Sequence, residues 1–251
     1  MPSPRVTATL PVRVPWVTNA RHSLSLIFAM PVSLPRRTGR YRGRMRIDTA
    51  QGPAEVALDE PGDPAFLLVL THGSNGGVDA ADLLAVREAA LGLGGAVARV
   101  LQPFRAAGRR APGSPARQDA AWLEVVGALR GRFGDVPLVQ GGRSNGARVA
   151  CRTARAAGAA GVVALAFPLA PPGRPDRSRA DELRAAGVEV LVVNGDRDPF
   201  GVPDPADATE VVVLPGERHD LNRNPAAVGA AVQPWLRRWT ARAPAPGGRA
   251  N

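Results

Sequence analysis

The sequence predicts an α/β fold, a doubly wound, mostly parallel sheet with helices on both faces. Three observations predict it. Short, continuous apolar runs such as Phe66 to Leu70 have the pattern of strands buried on both sides. Segments with apolar residues at helical spacing alternate with these runs, as in Trp122, Val125, Val126 and Leu129. The residues able to do chemistry collect just after the apolar runs, at strand carboxyl ends, where sheets of this kind bind ligands.

The elements follow in order. Residues 45–58 alternate enough for one or two edge strands around the turn Gln51-Gly52-Pro53. The run 66–70 is a buried strand, closed by Gly-rich residues 73–77, and 79–91 a helix with Leu83, Leu84, Val86 and Leu91 near one face. Strand 96–101 ends at Gln102-Pro103, a Pro/Gly/Arg loop covers 103–115, and 116–131 is a helix. Then come strand 137–140, helix 145–157, strand 161–167, a Pro-rich loop over 168–176 and a helix over 179–186. Strands at 188–193 and 209–214 precede a closing helix over 225–240, with Val228, Val232, Trp235, Leu236 and Trp239 inward.

Charge divides the chain. The formal net charge is +10, from 32 basic residues, all Arg, and 22 acids. Eight Arg and no acid lie in residues 1–44, so that stretch alone carries +8, and the remaining 24 Arg against 22 acids leave +2. A basic total therefore does not imply nucleic-acid binding by the folded part. Residues 1–44 are expected to be a disordered Arg/Pro-rich extension or a start assigned too early, with a domain over 45–240 and a flexible tail over 241–251. The apolar run Leu24 to Met30 is short and late for a secretion signal. No run approaches the roughly 18–20 apolar residues of a membrane span. One cysteine, Cys151, permits no internal disulfide and fits a reducing, cytoplasmic setting.

The most specific motif is Gly142-Arg143-Ser144-Asn145-Gly146, a Gly-x-Ser-x-Gly between an apolar strand and a helix. A nucleophilic Ser needs a tight, strained strand-to-helix turn that exposes its hydroxyl, and glycines on both sides leave room for it. The chain order of such a triad is Ser, acid, His. Of His22, His72 and His219, only His219 follows both Ser144 and a late strand. Two acids compete after strand 188–193. The spacing Gly195-x-x-Asp favours Asp198, with Asp196 the runner-up whose plainer role is to cap the turn. Oxyanion donors are expected from the backbone of Asn145, after the nucleophile, and of Ser74, in the loop 73–77. That loop lacks the Lys of a phosphate-binding P-loop and the Gly spacing of a dinucleotide fingerprint. Arg109 and Arg110, in the loop after strand 96–101, are weaker candidates for holding an anionic substrate group. No metal and no cofactor is expected, because Asp196, Asp198 and His219 have no further clustered ligands.

The ordered set LTHGSNGG (70–77), GRRAP (108–112), GGRSNGARVA (141–150), FPLAPPGRP (167–175), GDRDPFG (195–201) and ERHD (217–220) resembles the α/β-hydrolase superfamily. It is most similar to small members without a large lid, near dienelactone hydrolase, and within these to the KANL/Tex-type α/β-hydrolase-like family. The resemblance implies a site of Ser144, Asp198 and His219. The expected function is a serine hydrolase cleaving a small ester, thioester or similar acyl compound. No nucleic-acid or membrane partner is expected. The rival is a non-catalytic interaction module, since some relatives serve as subunits of chromatin complexes and a fold does not guarantee catalysis.

Overall fold

A computed structural model describes residues 41–240. Eight strands form one sheet in the order β1-β2-β4-β3-β5-β6-β7-β8. They are β1 (Tyr41–Thr49), β2 (Gly52–Glu60), β3 (Leu67–Thr71), β4 (Ala96–Leu101), β5 (Leu138–Arg143), β6 (Gly161–Leu165), β7 (Glu189–Gly195) and β8 (Glu210–Leu214). The hairpin β1–β2 and the pair β2–β4 are antiparallel, and every pairing from β4 to β8 is parallel.

The helices are α1 (Ala81–Gly92), α2 (Pro103–Ala106), α3 (Pro115–Phe133), α4 (Asn145–Ala157), α5 (Ala180–Arg184) and α6 (Pro225–Leu236). Side-chain alternation along each strand sorts them into two layers. Leu67 and Val69 of β3 join Trp122, Val126, Ala150 and Leu183 from α3, α4 and α5 in one core. Leu68 and Leu70 point the other way and join Leu83, Val86, Val228 and Trp235 from α1 and α6. Burial on both faces is what makes these strands read as unbroken apolar runs.

β2 is locked to both layers at its carboxyl end. Asp59 accepts two hydrogen bonds from Arg87 of α1, at 2.6 and 2.5 Å. Its neighbour Glu60 points to the opposite face and accepts from Arg132 of α3 at 2.6 Å. The Arg87 hydrogen bond holds the Asp59 carboxyl below its usual range, against the opposing effect of burial.

Two expectations are corrected. The strand expected from residue 45 includes Tyr41 to Arg44 as well, because these continue the β1 ladder opposite Glu60 to Ala57. The stretch 103–115 is not all loop. Pro103 opens the short helix α2, since proline suits a first helical turn, where its missing N–H has no partner to lose. The reading of residues 1–40 and of the tail 241–251 lies outside the described residues. No helix among the described residues is long and apolar enough to cross a membrane.

Candidate active site

The motif Gly142 to Gly146 forms the turn from β5 into α4. Ser144 has φ 54° and ψ −115°, a left-handed backbone for a residue with a side chain. Such a conformation costs on the order of 1–3 kcal/mol and persists only where its surroundings enforce it. Its N–H is held by the Leu165 carbonyl of β6 at 2.9 Å. Backbone crowding explains the glycines. A Cβ on Gly142 would stand 2.5 Å from the Thr71 carbonyl oxygen, and one on Gly146 2.7 Å from that of His72. The turn is thus wedged against the end of β3.

Ser144 Oγ lies 2.8 Å from His219 Nε2. His219 sits in the loop after β8, and its Nδ1 lies 2.9 Å and 3.1 Å from the two carboxylate oxygens of Asp198. With Nδ1 protonated toward the carboxylate, Nε2 is left to accept the Ser144 proton. The Asp198 side chain has no exposed surface. Its oxygens also accept from the Phe200 N–H at 2.9 Å and from Asn194 Nδ2 at 3.3 Å. The Phe200 ring lies against the imidazole, with centroids 4.3 Å apart. The runner-up acid, Asp196, points away and accepts instead from the Gly216 N–H at 2.7 Å.

Ser74 and Asn145 line the same cleft as Ser144 and His219. Neither backbone N–H has an acceptor among the described residues. Asn145 is the first residue of α4, where a helix leaves its N–H groups free and carries a partial positive charge. The loop bearing Ser74 approaches closely, since a Cβ on Gly73 would stand 3.2 Å from Ser144 Cβ.

Several supporting residues carry no sequence signal of their own. His72 is fully buried. Its Nε2 accepts the Gln102 N–H at 3.0 Å, so Nδ1 carries the proton and donates to the Gly73 carbonyl at 2.7 Å. Burial pushes its pKa down to about 4, which keeps it neutral. Gln118 of α3 accepts from Asn145 Nδ2 at 2.7 Å. Glu217 is buried and takes the N–H groups of Arg223 and Asn224, at 3.3 and 2.5 Å, which fixes the loop carrying His219. Periodicity marks none of these, because each acts through a specific hydrogen bond and not through an apolar face.

Arg109 and Arg110 are not brought to this cleft. The turn of α2 carries the exposed segment 107–111 away from it, and Arg109 lines a separate cavity of about 80 Å³ with Gln102, Phe104 and Gln118. The cations that do line the cleft, about 820 Å³ in volume, are Arg143, Arg148, Arg179, Arg197 and Arg218. Their signal was position: Arg143, Arg197 and Arg218 each sit beside a motif residue at a strand end. Arg143 also faces Asp82 of α1, with Nε 3.6 Å from Oδ2. Asp82 is fully buried and neither of its oxygens has a hydrogen-bond partner among the described residues. Burial raises its pKa to about 6 despite the Arg143 charge. Among the described residues no three His, Cys, Asp or Glu side chains gather as a metal site would require.

A family model described as an alpha/beta hydrolase domain matches residues 64–226. No curated protein matches the sequence. Among solved structures, the chain is similar to Est1E from Butyrivibrio proteoclasticus, with a TM-score of 0.65 and 19% identity over 79% of this chain and 99% of that one. It is also similar to XC6422 from Xanthomonas campestris, described as an a/b serine hydrolase without lid, with a TM-score of 0.63 and 24% identity over 84% and 100% of the two chains. A dienelactone hydrolase from Anabaena variabilis gives a TM-score of 0.61 and 16% identity over 80% and 96%.

Proposed function

Because the chain belongs to the alpha/beta hydrolase domain family, we propose that it is a serine hydrolase acting on a small ester, thioester or similar acyl compound. The observation that carries this reading is the relay from Ser144 Oγ through His219 to Asp198, at 2.8 and 2.9 Å, on a strained strand-to-helix turn. A scaffold has no need of that strain.

In the reaction, Ser144 Oγ attacks the acyl carbon while His219 Nε2 takes its proton. Asp198 fixes the imidazole and stabilises the cation that forms. The N–H groups of Asn145 and Ser74 receive the oxyanion, and each such donor is worth about 2.7–4 kcal/mol in the transition state. The bond from acyl carbon to alcohol oxygen or thiol sulfur breaks, and the leaving group departs with the proton from His219. Water, deprotonated by His219, then attacks the Ser144 ester and releases the acid. No step calls for a metal or a cofactor.

The descriptions of the Anabaena and Xanthomonas proteins support a dienelactone-hydrolase-like, lidless enzyme, and we read its activity as of the carboxylesterase or thioesterase type. The motifs quoted above support the KANL/Tex-type subfamily. The near-neutral balance after residue 44 speaks against a nucleic-acid partner, and the single buried Cys151 fits a cytoplasmic setting.

Labelling with a fluorophosphonate probe tests the reading. Ser144 is expected to be the modified residue, and Ser144→Ala to lower p-nitrophenyl butyrate turnover on the order of 10⁴- to 10⁶-fold. A folded protein that is neither labelled nor active on esters is an interaction module instead.

A further inference from the structure

The cleft around Ser144 is lined by five arginines against one carboxylate, Asp220. Two of the five are matched from behind. Arg143 faces Asp82, and Arg148 makes a two-point pair with Glu182 at 2.9 and 2.6 Å. Arg179, Arg197 and Arg218 make no ion pair among the described residues. Arg179 Nη1 donates to the Pro168 carbonyl at 2.7 Å, which orients the guanidinium and leaves its charge in place. It is half-buried beside the like charge of Arg148, and burial and that neighbour push its pKa down against the opposing pull of Glu182, which is itself bonded to Arg148. Arg197 and Arg218 lie on the loops after β7 and β8, which are tied together by the Arg197 N–H donating to the Glu217 carbonyl at 3.0 Å.

Three unmatched Arg against Asp220 leave the lining at +2. Like charges gathered in a cleft repel one another, and an anion bound there relieves the repulsion. Building on the serine-hydrolase reading, we infer that the substrate carries an oxyanion group beside the scissile acyl bond, held by Arg179 with Arg197 and Arg218. A phosphate monoester, with about −1.5 to −2 charge at pH 7, matches the +2 lining better than a single carboxylate. Guanidinium forks also suit its several oxygens. The group takes no part in bond making. In a thioester bearing it, the acyl bond to sulfur breaks, the thiol leaves with the proton from His219, and water completes the turnover.

Three compact substrates test this: the butyryl thioesters of 2-mercaptoethanol, of its O-phosphate, and of 3-mercaptopropionate. The reacting centre is the same in all three. The full chain is expected to favour the phosphorylated thioester over the neutral one by about tenfold or more in kcat/KM. Raising the salt to 0.5 M shrinks that preference. Arg179→Gln lowers the ratio by about tenfold, and Arg179→Lys restores part of it. Both substrates are measured on one preparation, so a partly misfolded variant leaves the ratio intact. A preference for the 3-mercaptopropionate thioester over the phosphorylated one supports the anion site and makes the anion a carboxylate. Equal kcat/KM for all three overturns the anion site and leaves the hydrolase reading standing. Turnover that Ser144→Ala does not abolish, or no turnover of any of the three, overturns both.

Discussion

The Asp196 carboxylate accepts a hydrogen bond from the Gly216 N–H at 2.7 Å, so it braces the loop after β8 and does not meet the imidazole of His219, three residues beyond Gly216. Asp198, two residues on, meets His219 Nδ1 at 2.9 Å. Asn at position 196 keeps an oxygen for Gly216, whereas Asn at 198 presents the imidazole with the wrong tautomer partner. Asp198→Asn is therefore expected to lower turnover of p-nitrophenyl butyrate on the order of 10⁴-fold, and Asp196→Asn by less than about tenfold. Comparable losses in the two variants would reverse the assignment.

Gly146→Ala tests the wedge under Ser144. The new Cβ would stand 2.7 Å from the His72 carbonyl oxygen and 2.8 Å from that of Thr71, both backbone atoms at the end of β3. Overpacking of this kind costs about 1–3 kcal/mol. That corresponds to a Tm lowered by roughly 2–12 °C for a domain of this size. Turnover is expected to fall as well, because the shift displaces the Ser144 turn. An unchanged Tm in a thermal melt would mean that the strand ends give way freely.

Asp82 gives a pH dependence whose sign follows from burial. Its pKa is raised to about 6 in the folded protein, against 3.8 for the ordinary group. Between those values the folded state holds a proton that the unfolded state has released. Its contribution to stability is therefore full below about 3.8 and lost as pH rises through about 6. Asp82→Asn removes this linkage. The Tm of wild type minus that of Asp82→Asn is expected to be higher at pH 4 than at pH 8, by the equivalent of roughly 2–3 kcal/mol. A difference that does not change with pH, or changes in the opposite direction, contradicts the raised pKa.

Cys151, on the buried side of α4, tests core packing chemically. Burial pushes its thiol pKa up to about 12, so almost no thiolate forms at neutral pH. Ellman's reagent at pH 8 is expected to react with it only after denaturation, at one equivalent. Rapid reaction in the native protein would show that α4 opens.

The parallel half of the fold was legible because strands buried on both faces are written as short apolar runs. Helix 145–157 and strand 96–101 match their expected bounds. The stretch Tyr41 to Arg44 was not legible as strand. Alternating Tyr41, Arg42, Gly43 and Arg44 lie on an edge strand whose partner supplies the evidence for pairing. Ser144, Asp198 and His219 were picked out by chain order, and the fold brings them within hydrogen-bond reach because that order reflects which strand ends carry them. The lining arginines went unread, although Arg143, Arg197 and Arg218 stand beside motif residues, because position in sequence does not say whether an Arg faces a cleft or solvent. Arg109 and Arg110, chosen from such a loop, do not line the cleft around Ser144.

Among the described residues β8 is the last strand of the sheet, paired on one side only, and its Val213 is 44% exposed. Yet the loop that follows it delivers His219. An edge strand is where sub-global opening begins, at a free energy below that of whole-domain unfolding. His219 is thus carried by the loop after an edge strand, while Ser144 follows interior β5. Heat inactivation is therefore expected to run ahead of global melting, and coincident residual-activity and melting curves would contradict this. Packing that pins β8 more tightly would extend the working temperature without strengthening the rest of the molecule.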